Sequence, residues 1–137
     1  MSLSEGKVSH MDALSKKDGI IAAAAMDQRG SLQKSIAAAK GVPNHEVTDE
    51  MMSEFKIAVS KVLTPHASAI LLDPEFGLPA AAQRDKDCGL LLAYEKSGYD
   101  NERPGRLPDL LDTMSVRRIK EAGADAVKIL IYYTPFD

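Results

Sequence analysis

The clearest indication of the fold is an apolar run, Ser68 to Leu72 (SAILL), followed by the polar turn DPEFG at 73–77. A short apolar run between turn residues is typical of a strand buried on both faces, as in a parallel sheet. Three other runs have the same character: IIAAAAM at 20–26, GLLLA at 89–93 and DAVKILIYY at 125–133. The sequence therefore predicts four strands of one parallel sheet.

Helical segments separate the predicted strands. Thr48 opens the longest helix, which Pro65 ends, and its apolar stripe is Phe55, Val59 and Val62. Shorter helices are predicted, from apolar spacing and from flanking Gly or Pro, at 8–17, 32–40, 79–82 and 115–122. Alternating helices and buried strands predict an α/β fold with right-handed crossovers.

Two architectures satisfy this order, an open doubly wound sheet and a closed (β/α)8 barrel. The chain has 137 residues, whereas a complete barrel typically needs about 250 residues. Taken alone, four βα units favour the open sheet. The length predicts a single domain over residues 1–137.

The amino-acid composition argues against nucleic-acid-binding, membrane-spanning and disulfide-linked classes of protein. The 17 Lys and Arg residues against 20 Asp and Glu residues give a net charge of −3, which argues against nucleic-acid binding. No apolar run approaches the about 18 residues of a membrane-spanning helix, and we expect a cytoplasmic protein. The single cysteine, Cys88, excludes an internal disulfide and fits a small buried hydrophobic residue.

Nucleotide and metal motifs are absent from the sequence, so neither a cofactor nor a metal is predicted. The three histidines, His10, His45 and His66, lack the spacing of metal ligands and are expected at the surface. Tyr94, like the two tyrosines that end the fourth run, is expected in the core or at its rim.

Five segments together carry a family resemblance. They are AMDQRGSL (25–32), SAILLDPEFGLPA (68–80), GLLLAYEKSGYD (89–100), GRLPDLL (105–111) and KEAGADAVKILIYY (120–133). In this order they resemble the amino-terminal half of the class I tagatose 1,6-bisphosphate aldolases, over residues 10–134. The resemblance implies a TIM (β/α)8 barrel of which this chain holds the first four βα units.

The resemblance also implies an activity. Such aldolases cleave a phosphorylated ketohexose, tagatose 1,6-bisphosphate, into dihydroxyacetone phosphate and glyceraldehyde 3-phosphate through a Schiff base, without a metal. In that family the Schiff-base lysine lies on strand six and a proton-transferring glutamate on strand five. Four strands do not include either, so the chain by itself is expected to be inactive. The alternative is a non-catalytic, phosphosugar-binding or regulatory half barrel.

Two residues are predicted to be catalytic and two to bind substrate. Asp27 follows the first strand, where the resemblance places an aspartate that binds substrate hydroxyls, although a turn or helix cap also explains it. Lys128 lies inside an apolar strand, where the resemblance places a lysine that faces the barrel mouth, although an edge lysine can also snorkel outward. Gln28 suits a sugar hydroxyl and Arg29 suits a phosphate.

Other charged residues have structural interpretations that are at least as good. Asp73, Glu75 and Glu95 follow strands and are expected to pair with Lys128 or Lys96. The loop at 97–112 holds arginines that suit a phosphate-facing rim or a solvated loop equally well. Unpaired edges on the first and fourth strands predict a homo-oligomer.

Overall fold

A computed structural model of the chain describes residues 2–97 and 107–131. Its α-helices are α1 (Glu5–Leu14), α2 (Gly30–Lys40), α3 (Asp49–Leu63), α4 (Leu78–Ala81) and α5 (Val116–Glu121). Its strands are β1 (Ala23–Met26), β2 (Ala69–Leu72), β3 (Gly89–Ala93) and β4 (Ala126–Lys128). Strands alternate with helices, which confirms the predicted α/β class.

The four strands form one parallel sheet in the order β1-β2-β3-β4. Ala23 lies opposite Ala69, which in turn lies opposite Gly89, so the three strands begin at one level. A doubly wound sheet reverses its strand order at a switch point. Here the spatial order of the strands follows their order in the chain, as in the wall of a (β/α)8 barrel.

The main hydrophobic core is built on the two central strands. Ile70 and Leu72 of β2 and Leu90 and Leu92 of β3 are fully buried, and Ile119 of α5 packs with them. Cys88 is buried in the same cluster and Tyr94 packs against it, as predicted for both.

The outer strands are shorter and less buried than predicted. Strand β1 covers only the second half of the run at 20–26, and its residues are exposed or half-buried. Strand β4 covers only the beginning of the run at 125–133, and Ile129–Ile131 continue exposed and outside it. Each outer strand has one neighbour among the described strands, because the two lie at opposite ends of the sheet. The described parts of these two runs are exposed or half-buried, so the predicted burial on both faces is wrong for them.

Two helices present different faces from those predicted. In α1, Val8 and Met11 are exposed, and only Leu14 is buried. In α3, Phe55 and Val62 are exposed. The buried face of α3 is Met52, Lys56 and Ser60, spaced four residues apart on one side of the helix.

The predicted ends of α2, α3 and α5 are confirmed to within two residues, whereas the first helix was predicted at 8–17 and lies three residues earlier, at Glu5–Leu14. The Thr48 side chain caps α3 by accepting a hydrogen bond from the Met51 N–H, and a 3-10 turn containing Pro65 follows the helix. Gly41 after α2 and Gly123 after α5 have φ of +67° and +83°, the left-handed conformation that ends many helices. None of the described helices is long and apolar enough to cross a membrane.

Candidate active site

Charged side chains gather at one end of the sheet, where all four parallel strands terminate. Asp27 follows β1, Asp73 follows β2, Glu95 follows β3 after one intervening residue, and Lys128 is the last residue of β4. In (β/α)8 barrels this carboxyl end of the strands carries the catalytic groups.

Lys128 is the centre of the cluster. Its Nζ donates to Oδ2 of Asp27 at 3.0 Å and to Oε1 of Glu95. The Lys128 side chain is 29% exposed, whereas Glu95 is 8% exposed. The lysine therefore points inward from its strand and does not snorkel outward.

The contact between Lys128 and Asp27 requires a curved sheet. The two residues lie on β4 and β1, which are three strand spacings apart. Three spacings in a flat sheet amount to about 14 Å, farther than these two side chains reach together. The ends of β1 and β4 must therefore bend toward one another, as they do when strands close around a barrel axis.

The electrostatic surroundings of Lys128 favour its charged form. Burial lowers the pKa of the Lys128 ammonium, but the hydrogen bonds and negative charges of Glu95 and Asp27 outweigh burial. The pKa of Lys128 is therefore raised above its ordinary value of 10.5. At neutral pH this side chain is an ammonium held between two carboxylates.

Arg29 is placed beside this cluster and is buried. One guanidinium nitrogen donates to Oε1 of Glu75 at 3.0 Å, and another donates to the backbone carbonyl of Glu95 at 2.8 Å. The side chain thus links the ends of three strands. Binding of a substrate phosphate by Arg29 stays a prediction.

Gln28 lies at the exposed rim of the same end. Its backbone carbonyl accepts a hydrogen bond from Lys56 at 2.7 Å. Its predicted contact with a sugar hydroxyl also stays a prediction.

The predicted pairing of the three strand-end carboxylates is right for one of them. Glu95 binds Lys128 as expected, but Glu75 binds Arg29. Asp73 is fully buried and binds Lys56, a fully buried lysine that no sequence motif marks. A helical lysine normally faces solvent, and the one sequence signal for Lys56 is its spacing of four residues from Met52.

Glu95 contributes two oxygens to the site, which its sequence position did not predict. Its Oε2 is buried and lacks a hydrogen-bond partner among the described residues, while its Oε1 binds Lys128. A carboxylate that follows a strand is ambiguous in sequence, because turns and ion pairs also use such residues. The free oxygen gives the site one unused hydrogen-bond acceptor.

The three histidines do not belong to this cluster of charged side chains. His45 and His66 are exposed, as predicted. The His10 side chain is 42% exposed, as predicted, and it contacts Asp125, with 2.9 Å between its Nδ1 and Oδ1 of the aspartate. Within 2–97 and 107–131, no group of three or more His, Cys, Asp or Glu side chains is placed to hold a metal ion. Most of the predicted loop at 97–112, including its two arginines, lies outside the described residues.

The known proteins to which this chain is similar include several tagatose 1,6-diphosphate aldolases. The chain is 59% identical over 133 residues to tagatose 1,6-diphosphate aldolase 2 of Enterococcus faecalis. It is 52% identical over 135 residues to tagatose 1,6-diphosphate aldolase of Listeria monocytogenes and 52% identical over 133 residues to that of Staphylococcus haemolyticus.

These matches cover the chain almost completely but their partners only in part. They include 97% or 98% of this chain and 39% or 40% of each relative. The family model described as DeoC/LacD family aldolase matches residues 21–137. With this match, and with four consecutive barrel strands that end in a cluster of charged side chains, the chain belongs to the DeoC/LacD aldolase family.

Proposed function

We propose that the protein carrying this sequence is a class I aldolase that cleaves tagatose 1,6-bisphosphate to dihydroxyacetone phosphate and glyceraldehyde 3-phosphate. The observation that carries the proposal is the placement of Lys128 between Asp27 and Glu95 at the carboxyl end of the sheet. The names of the relatives support the substrate.

The cluster suits the charge changes of an aldol cleavage. In a class I cleavage a base, which the family resemblance gives as a glutamate on strand five, removes the proton of a sugar hydroxyl, and negative charge develops on that oxygen. The carbon–carbon bond then breaks, and its electron pair passes to the iminium formed with the nucleophilic lysine. An ammonium such as that of Lys128 stabilises developing negative charge, and a carboxylate such as that of Asp27 accepts a hydrogen bond from a hydroxyl. We assign Lys128 to charge stabilisation and Asp27 to orientation of the substrate.

Lys128 is not assigned to the Schiff base. A lysine attacks a carbonyl only as the neutral amine. The raised pKa of Lys128, caused by Glu95 and Asp27 despite partial burial, keeps this side chain protonated at neutral pH. The proposal therefore gives the nucleophile to a different lysine, and its ammonium neighbour Lys128 lowers the pKa of that lysine by like-charge repulsion.

The proposal extends to the partners and location of the protein. The substrate is a phosphorylated ketohexose, which Gln28 and Arg29 help to bind. We also propose a cytoplasmic homo-oligomer. The exposed outer strands, each with one described neighbour in the sheet, support association only for the 137-residue chain taken alone.

Steady-state kinetics with the natural gene product that carries this sequence test the function. The assay follows release of dihydroxyacetone phosphate from tagatose 1,6-bisphosphate for the wild type, Asp27→Asn and Lys128→Met. We expect kcat to fall about 10²- to 10³-fold in each variant, because each loses one oriented electrostatic contact. The free energy of unfolding of Asp27→Asn is expected to change by less than about 1.5 kcal/mol, because the two side chains have nearly the same size and shape. Lys128→Met leaves the buried Glu95 without its cation and is expected to cost more.

Lys120→Met is the matched control, because Lys120 is an exposed lysine of α5 and lies at the other end of β4 from Lys128. Its kcat should equal that of the wild type. Near-normal cleavage in the Asp27 and Lys128 variants, together with a large loss of stability, would make both residues structural. A wild type that binds the sugar phosphate without cleaving it would favour the non-catalytic half barrel instead.

A further inference from the structure

Lys56 is the most completely buried charged side chain close to the proposed site. Its side chain is 0% exposed, and it projects from the middle of α3 toward the ends of β1 and β2. Burying an ammonium is costly unless its donors are satisfied and an opposite charge lies close to it. Its neighbours on the buried face of α3, Met52 and Ser60, show that the helix presents this lysine inward.

All three donors of the Lys56 ammonium have acceptors. Nζ donates to the backbone carbonyls of Met26 at 2.6 Å and Gln28 at 2.7 Å, and to Oδ1 of Asp73. An ammonium has three N–H groups, so the site is fully satisfied. The two carbonyls belong to the residues on either side of Asp27.

Asp73 extends this connection to the next strand. Its Oδ1 binds Lys56, and its Oδ2 accepts a hydrogen bond from the Phe76 N–H at 2.8 Å. The turn held in this way contains Glu75, which binds Arg29. One buried ion pair thus joins the backbone around Asp27 to the turn that follows β2.

We propose that Lys56 is the positioning residue of the site, fixing the backbone on both sides of Asp27 so that the Asp27 carboxylate meets Lys128. The proposal takes Asp27 as a member of the active site and so rests on the proposed function. Hydrophobic packing alone does not explain an ammonium at this place, whereas two converging carbonyls next to a strand end need hydrogen-bond donors, which the ammonium supplies.

The test uses the pKa of Lys128 as its readout, measured by NMR titration of the lysine side-chain signals in the natural gene product that carries this sequence. The variants are Lys56→Met, Asp27→Asn and the double variant, and Lys61→Met is the control because Lys61 is exposed on the same helix. Glu95, which also faces Lys128, stays unchanged throughout.

If Lys56 positions Asp27, Lys56→Met lowers the pKa of Lys128 as much as Asp27→Asn does, and the double variant shows no further fall. Lys61→Met leaves that pKa at its wild-type value. A Lys56→Met protein that is folded and less stable, but has an unchanged Lys128 pKa, would overturn the proposal. The result does not depend on sugar cleavage, so it is separate from failure of the proposed function.

A second variant covers the case in which Lys56→Met does not fold. Asp73→Asn keeps the Lys56 ammonium but weakens its attachment to the turn after β2. The proposal predicts a lower Lys128 pKa in this variant also. An unchanged pKa, or loss of folding in both variants while Lys61→Met folds, would assign Lys56 to the stability of the fold and overturn the proposal.

Discussion

The charge of the Lys128 side chain depends on the two acidic residues that contact it. Lys128 has a carboxylate on each side, and its raised pKa follows from Glu95 and Asp27 acting together against burial. A lysine in an apolar strand is a conspicuous sequence signal, because an unpaired charge there is costly. The apolar strand therefore singles out Lys128 in the sequence, whereas Asp27 was singled out only through the family resemblance, and the catalytic role of each stays a prediction.

The first prediction at this scale concerns Glu95. In Glu95→Gln, Lys128 loses one negative neighbour, so its pKa should fall below the wild-type value while the fold is retained. NMR titration of the Lys128 side chain measures this shift. Glu121→Gln in α5 is the control, since Glu121 is exposed. An unchanged pKa in Glu95→Gln would mean that Glu95 does not set the charge of Lys128.

The same pKa shift makes a prediction about stability and pH. The pKa of Lys128 is higher in the folded chain than the ordinary 10.5 of the unfolded chain. Its ion pairs therefore contribute fully to stability below pH 10.5, and the contribution is lost as pH rises through the folded pKa. The difference in unfolding free energy between wild type and Lys128→Met, measured in urea, should shrink over that alkaline range. A pH-independent difference would contradict the ion pairing.

Lys56 shows why part of the site was not predictable. Sequence periodicity treats lysine as solvent-facing, so the apolar stripe was assigned to Phe55, Val59 and Val62. The acceptors that satisfy Lys56 include backbone carbonyls of Met26 and Gln28, and backbone groups leave no signature in sequence. Only the tertiary arrangement reveals that a lysine belongs on the buried face.

At the scale of elements, central strands were predictable and outer strands were not. β2 and β3 match their apolar runs to within one residue, because burial on both faces needs a continuous apolar segment. The runs that contain β1 and β4 are longer than the strands they form. Pairing with a second neighbour determines how far a strand extends, and the sequence of one run does not contain that information.

Helix α1 packs closely against the start of β3. A Cβ atom on Gly89 would lie 2.5 Å from the backbone oxygen of Ala13, so only glycine fits without movement of the backbone. The Ser68 hydroxyl donates to the Leu14 carbonyl at 2.7 Å at the same end of the sheet. The end of α1 is thus fixed mainly by backbone contacts, which explains why its apolar spacing predicted the wrong face.

This packing gives a prediction for Gly89→Ala. The variant should lose about 1–3 kcal/mol of unfolding free energy, the usual cost of inserting a methyl group into a packed region. Gly6→Ala is the matched control, since a Cβ on Gly6 meets no atom within 4 Å, and it should be neutral or slightly stabilising in a helix. Urea unfolding of both variants makes the comparison. Equal stability of the two would show that α1 does not pack tightly on β3.

At the scale of the whole molecule, four strands in sequential order form part of a barrel wall. The chain spans 39% to 40% of the length of the relatives it matches. Counting strands alone favoured an open doubly wound sheet, whereas the family segments implied the barrel. The order of the strands and the contact between β1 and β4 residues agree with the second interpretation.

The outer strands lead to a prediction about association. Ile20 and Ile21 before β1, and Ile129 and Ile131 after β4, are exposed. Unpaired strand edges beside apolar side chains favour pairing with another chain. Sedimentation velocity of the 137-residue chain should therefore show dimers or larger species. A sharp monomer peak with cooperative unfolding would contradict a half barrel with open edges.

Borohydride trapping with dihydroxyacetone phosphate tests the central claim most directly, because reduction converts a Schiff base into a stable secondary amine. Peptide mapping of the natural gene product by mass spectrometry then locates the modified lysine. We expect the product to be trapped and no lysine within residues 1–137, Lys128 included, to carry the adduct. An adduct on Lys128 would contradict the assignment of this residue as a protonated, charge-stabilising group. Absence of any adduct would contradict the class I aldolase itself.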